Sequence, residues 1–178
     1  MSAQQNIQEP AQPLHDPYHE WLVINFNVRN IALVLVVFGL LVSGYLSYVK
    51  LTNAPMVCPT GEGSAFNCEV VQNSIYAYMP PKSGIAIAWL GFATYVVIGG
   101  LILFEKRIPL LREWSIPITF GIVTFAFLFS MYLIYVQAVL LKAFCMWCLM
   151  HEINMTILFI VTIIRLIMFF NKPHVEEA

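Results

Sequence analysis

The sequence predicts an all-α membrane protein: a bundle of four transmembrane helices, with a short amphipathic helix in the first outer loop. Three observations predict it. The 178 residues are 60% hydrophobic and 11% charged, with a mean hydropathy of +0.76, too apolar for an ordinary soluble domain. Residues 30–49, 83–104 and 114–141 carry no charge over 20, 22 and 28 positions, and about 20 apolar residues span a hydrocarbon core. A fourth run, 144–170, is as long and carries only Glu152 and Arg165. The formal net charge of -1 leaves no basic footprint for nucleic acid.

Residues 1–28 read as a polar tail, with Pro10, Pro13 and Pro17, followed by an interfacial segment, Trp21 to Asn27, that either lies on the membrane or extends the first helix. The tail lacks the basic start and short apolar core of a cleaved signal peptide. The membrane domain covers 29–170, with helices at about 30–49, 84–104, 115–141 and 144–170. After Lys50 a loop rich in Pro55, Pro59, Gly61 and Gly63 carries Cys58. Ala65 to Met79 then has apolar residues at helical spacing and reads as a surface helix. Ser64 or Asn67 caps it, Cys68 falls in its first turn, and Pro80 and Pro81 stop it. Residues 105–113 form a charged turn, and Lys142 and Ala143 make a tight connection into the fourth helix. Residues 171–178 are a short tail.

Four crossings place both termini on one side. That side holds Arg29, Lys106, Arg107, Arg112 and Lys172, and Arg165 can snorkel to it; the other holds Lys50, Lys82 and Lys142. The bias predicts cytoplasmic termini. All four cysteines then face the outer side, where disulfides persist.

Cys145-Met146-Trp147-Cys148 opens the fourth helix. A Cys-x-x-Cys pair is a dithiol that closes into a disulfide and reopens, and helix-start cysteines favour the thiolate. Cys145, Cys148 and Glu152 share one helix face at i, i+3 and i+7. A lone cysteine in a membrane helix is often only a small apolar residue. That account serves four of four on one outer face poorly. Purely structural disulfides, or a zinc site made with His151, are the other readings the spacing permits.

Two spaced loop cysteines followed by Cys-x-x-Cys at the head of the fourth helix resemble the vitamin K epoxide reductase family. Cys68, Ser74, Tyr76, Gly84, Gly91 and Tyr95 resemble the family's run into the second helix. Phe144-Cys145-x-Trp147-Cys148-x-x-His151 resembles its bacterial branch. The resemblance spans about residues 30–170. Ala86 departs from the proline common in bacterial members, and Glu152 from the tyrosine of the vertebrate enzymes. A second quinone-linked thiol oxidase family also has four helices and four cysteines, but its Cys-x-x-Cys pair comes first in the chain.

The resemblance implies a helix bundle around a quinone, ubiquinone or menaquinone, with the loop helix as a lid. It implies electron flow from a partner dithiol to Cys58 and Cys68, then to Cys145 and Cys148, then to the quinone. No thioredoxin-like domain follows the fourth helix, so the expected partner is a separate periplasmic thioredoxin-fold (DsbA-like) protein at a bacterial inner membrane. Residue placement agrees: Cys58 is in the wettest stretch, and Cys148 is a turn deeper than Cys145. The expected function is a thiol:quinone oxidoreductase supporting disulfide formation. The alternatives are a quinone or quinone-epoxide reductase, or a non-catalytic protein braced by disulfides. Ser74, Trp147, His151 and Glu152 are candidates for quinone binding or proton relay. Ser74 can instead bond its own backbone, Trp147 can anchor at the interface while walling the pocket, and His151 can bond a neighbouring helix. Glu152 is costly in a membrane helix and either supplies a proton or makes a salt bridge.

Overall fold

Helix α1 spans Pro17–Thr52, roughly 54 Å at about 1.5 Å per residue, well beyond a hydrocarbon core of about 30 Å. The structure, a computed structural model, describes residues 17–58, 66–81, 84–105, 107 and 109–171. The tail expected before residue 17 and most of the short tail after 170 lie outside the described residues, as do Lys82, Lys106 and Lys172. Residues 17–28 are the first turns of α1. The Trp21 indole donates to the Met168 carbonyl at 3.2 Å, which ties this extension to the far end of the bundle.

The short helix α2 is Cys68–Asn73, and the long helix α3 is Ile87–Phe104. Helix α4 is Pro109–Tyr135, with Val136–Leu141 continuing it as a π-helical turn. Helix α5 is Met146–Phe170. The four long helices are each long and apolar enough to cross a membrane. Their outward faces are apolar, as at Val34, 68% exposed, and Phe125, 74% exposed. That surface suits lipid, because the helices satisfy their own backbone groups.

Helix α1 packs against both α3 and α5, and α4 packs closely on α5 but more loosely on α3. The core runs through all four: Ala32 and Val36 of α1, Ile98 and Ile102 of α3, Val123 of α4, and Leu158 of α5. Tyr95 of α3 is fully buried and lies over Gly39 of α1, where an added Cβ would collide with the ring.

The surface helix expected over 65–79 is shorter than that. After α2 comes a 3₁₀ turn at Ile75–Ala77, and Tyr78–Met79 (β1) pairs with Ile85–Ala86 (β2) as a small antiparallel hairpin. Ser74 explains the break. Its backbone is extended, and its Oγ donates to the Val71 carbonyl at 2.9 Å, so the side chain takes an acceptor that a longer helix would use. Gly84, expected at the start of the second long helix, instead closes the hairpin, its N–H donating to the Pro80 carbonyl at 3.0 Å. A Cβ at Gly84 would strike the Met79–Pro80 backbone. The segment 66–81 thus forms a cap over the outer end of the bundle.

Candidate active site

Two cysteines open helices, and the chain docks those openings together. Cys68 begins α2, whose N-cap Asn67 accepts from the Val70 N–H through its side chain at 3.1 Å. Cys145 is the N-cap of α5. The Asn67 N–H donates to the Phe144 carbonyl at 2.9 Å, Phe66 and Phe144 form a parallel β-bridge, and their rings lie 6.2 Å apart. Each cysteine directly follows one partner of that hydrogen bond. Both are buried, Cys68 at 1% and Cys145 at 0% exposed.

Cys58 and Cys68 form a disulfide with a Cα separation of 6.3 Å, within the range such bonds adopt. Cys145 and Cys148 are free thiols. The hydrogen bond from Cys148 holds the Cys145 thiol below its usual pKa; burial opposes this, and the N–H groups of Cys148 and Trp147 add to it. A lowered pKa makes Cys145 the better thiolate of the pair's outer end.

Cys58 is tethered more firmly than a glycine- and proline-rich loop suggests. The neighbouring Val57 receives the Trp147 indole N–H on its carbonyl at 2.8 Å and donates its own N–H to the Tyr45 hydroxyl at 3.3 Å. Tyr45 and Trp147 lie ring to ring at 4.6 Å. Trp147 therefore clamps the Cys58 segment and is not part of the cavity wall described next. The expectation that it walls a pocket is replaced by this role. Lys50 makes a second tether. Its Nζ donates to the Gln72 carbonyl at 2.6 Å and sits 4.5 Å above the Tyr78 ring.

Beneath the cap is a cavity of about 570 Å³. Cys148, Ser74 and Gln137 line its outer part, and His151, Glu152 and Met155 continue along α5. Leu90, Val97 and Phe125 lie on its wall while also facing outward, so the looser seam between α3 and α4 opens it toward lipid. The wall is mostly apolar, and its size falls in the range of small-molecule sites. Among the described residues Glu152, 4% exposed, has no partner for Oε2, and Ser130 Oγ is likewise buried without one. Unsatisfied polar atoms on an apolar wall are the arrangement expected where a ligand with a few polar atoms completes the bonding. The Ser130 hydroxyl is a donor, and the Glu152 carboxyl is one in its protonated form; a quinone, a flat apolar ring with two carbonyl acceptors, fits that pair.

Of the predicted residues, the structure brings Ser74, Cys148, His151 and Glu152 to one cavity, and leaves Cys58, Cys68, Cys145 and Trp147 off its wall. Arg165, expected to snorkel, instead pairs with Glu105 at 2.7 Å. Sequence reasoning passed over Gln137, Tyr45 and Asn154. Asn154 Nδ2 bonds the Tyr95 hydroxyl at 3.0 Å and the Leu35 carbonyl at 3.1 Å, joining α5, α3 and α1 behind His151, whose ring meets Tyr95 edge-on at 5.5 Å. A polar residue inside a long apolar run was the available signal in each case.

Residues 30–163 match the model of the Vitamin K epoxide reductase family. Members of that family are oxidoreductases that work with thioredoxin-like partners and use quinones as electron partners. The match takes in all four cysteines and the whole cavity wall, and the chain, a multi-pass membrane oxidoreductase, belongs to the vitamin K epoxide reductase family.

Proposed function

We propose that this protein is a thiol:quinone oxidoreductase of a bacterial inner membrane, which oxidises a separate periplasmic thioredoxin-fold (DsbA-like) protein and passes the electrons to ubiquinone or menaquinone. The observation that carries the reading is the Asn67–Phe144 hydrogen bond. It joins the segment bearing the loop disulfide to the segment bearing Cys145, while Cys148 opens onto the cavity.

The steps balance as follows. A partner thiolate attacks Cys58 and expels Cys68 as thiolate; the partner's second thiol resolves the mixed disulfide and leaves as the oxidised partner. The Cys68 thiolate attacks Cys145 of the closed helix pair and expels Cys148. Cys58 then attacks Cys68, which restores the loop disulfide and frees Cys145. Two electrons and two protons leave the Cys145–Cys148 dithiol, and a quinone supplies the two-electron, two-proton acceptor when bound. The combination described above, loop pair closed and helix pair reduced, is the state just before that last transfer.

The chain's own residues have distinct roles. The cap and the apolar wall exclude water from Cys148. Glu152 can hold or deliver a proton at its carboxyl oxygen, and His151 stands on the same wall one residue away. Ser74 fixes the turn where the cap crosses the cavity. The excess of Arg and Lys at the Arg29 and Arg107 end supports cytoplasmic termini and periplasmic cysteines.

The test uses purified protein in detergent with a reduced thioredoxin-fold dithiol protein, following quinone reduction by absorbance. We expect turnover that depends on all four cysteines. No quinone reduction with any dithiol donor overturns the proposal. A membrane-impermeant thiol reagent on intact, reduced cells should label Cys58; labelling only after the inner membrane is opened inverts the topology.

A further inference from the structure

Gln137 stands where α4 stops being α-helical. It belongs to the π-helical turn Val136–Leu141, a deviation often found at functional sites. The next residue but four, Lys142, is left-handed at φ 48°, and the Gln137 carbonyl accepts the N–H groups of both Lys142 and Ala143, the latter at 3.2 Å. The turn therefore winds back on Gln137 and directs its side chain inward. Gln137 is 3% exposed and lines the cavity together with Cys148.

Its carboxamide is oriented by chemistry. The Cys145 backbone N–H, a donor, points at one end at 3.0 Å, so that end must be the oxygen and the other the NH₂. Among the described residues the NH₂ has no protein partner. Three other neutral donors on the wall are committed: Ser43 to the Gly39 carbonyl, Ser74 to the Val71 carbonyl, and Thr94 to the Leu90 carbonyl, while Gln72 and Tyr76 reach the wall from the cap segment. Ser130 has no partner among the described residues, but it sits seven residues down α4, about 10 Å away along the axis. Gln137 is thus the uncommitted amide donor that a bundle helix, rather than the cap, holds at the end of the cavity where Cys148 opens.

We propose that the Gln137 NH₂ donates a hydrogen bond to a carbonyl oxygen of the quinone, making Gln137 a residue that seats the acceptor against the helix pair. This rests on the quinone reading above. Two consequences follow from the geometry. The Cys145 N–H polarises the amide from its oxygen end and strengthens the donor at the other. As electrons leave Cys148, negative charge grows on the acceptor's oxygens, and a fixed amide donor aimed there favours the transfer.

The test reads the bond itself. Full-length protein in detergent is loaded with a short-tailed naphthoquinone carrying ¹³C at its carbonyls, and isotope-edited infrared spectra give the bound carbonyl stretch. In the native protein one carbonyl band should lie below its free position. In Gln137→Met it should return toward the free position, with quinone binding weakened roughly 2- to 12-fold, the worth of one neutral hydrogen bond. Gln137→Glu keeps an oxygen for the Cys145 N–H while replacing the amide donor by a carboxyl. A carboxylic acid donates more strongly and a carboxylate not at all, so in either form the band must leave its native position. Gln137→Glu therefore decides the matter even where Gln137→Met fails to fold. An unchanged carbonyl band in the folded variants, with quinone still bound, overturns the assignment of Gln137 and leaves the proposed reaction standing. Absence of quinone binding to native protein overturns both.

Discussion

The two ends of the bundle are built on opposite terms. At the end that holds Trp21 and Arg165 the helices close on one another. Val36, Ile98, Ile102 and Leu158 interdigitate, and the charged pair there, Arg165 with Glu105, is matched at 2.7 Å. At the other end α3 and α4 stand apart around about 570 Å³, and a short cap held by a handful of hydrogen bonds lies over the gap. Interiors close to crystal density leave no room for a ligand. The closed half therefore supplies stability that lets the open half keep its cavity and a displaceable cap. Stability and reactivity are drawn from different regions, as local opening in proteins generally is.

The largest effect should come from cutting the relay at its inner thiol. In the forward relay Cys148 is the group expelled when the Cys68 thiolate attacks Cys145. In Cys148→Ser the Cys145 thiolate can still attack Cys68 of the loop disulfide and expel Cys58, and no Cys148 thiol is left to open the resulting bond from the helix side, since a hydroxyl does not substitute at neutral pH. Cys68–Cys145 should accumulate on exposure to a mixture of reduced and oxidised partner, and quinone reduction should fall below detection. Mass spectrometry of unreduced peptides reads the linkage. Cys58–Cys68 intact with Cys145 free would mean that the docked segments do not exchange.

Breaking the closed end should give the converse result. Glu105→Ala leaves Arg165, 3% exposed, without its counter-charge. Removing one member of a fully buried pair costs about 3–5 kcal/mol; Glu105 is partly exposed at 16%, so the cost falls below that range and denaturant midpoints in detergent should drop. Turnover per folded molecule should hold, because neither residue touches the cavity. A proportional loss of turnover in protein that remains folded would show that the two ends are not independent.

How much of this was legible beforehand follows the same division. Four charge-free or nearly charge-free runs set the four membrane helices, and the Cys-x-x-Cys at a helix start marked the reactive end. What escaped was set by single residues, Ser74 and Lys142 acting locally and Trp147 and Arg165 over long sequence separations. Ser74 breaks the surface helix by bonding Val71, and nothing in the apolar spacing of Val70, Val71 and Ile75 announces that choice. Trp147 looked like a pocket wall from its neighbours in sequence, yet its indole reaches Val57, 90 residues away. The π-helical turn that brings Gln137 inward depends on Lys142 adopting a left-handed backbone, which a lysine seldom does. Arg165 near a helix end reads as snorkelling until Glu105 is seen beside it.

Within the open half, Glu152→Gln tests whether the unpartnered carboxyl is there for chemistry. The substitution keeps the shape and removes the transferable proton. A positioned proton donor is worth roughly 10²- to 10⁴-fold, so quinone reduction should slow by about 10²-fold, while disulfide exchange between the two cysteine pairs continues. Unchanged quinone turnover across a wide pH range would remove Glu152 from the reaction. Loss of folded protein would make it a structural group instead.

The smallest effect separates the cap's tethers from the cavity they cover. Trp147→Phe retains an aromatic ring against Tyr45 but loses the indole N–H that holds the Val57 carbonyl at 2.8 Å. One such bond contributes about 0.5–1.5 kcal/mol, and this one is solvent-exposed, so the lower part of that range applies. The Cys58 segment should open more often, and dithiothreitol should reduce Cys58–Cys68 a few-fold faster, by about 2- to 5-fold on the same scale. Quinone affinity should stay where it was, because Trp147 does not stand on the cavity wall. The opposite pattern, weakened quinone binding with unaltered access to the disulfide, would return Trp147 to the pocket and make the clamp on Val57 incidental. Only the first pattern fits a molecule in which the outer loop is loosened without disturbing the acceptor's seat.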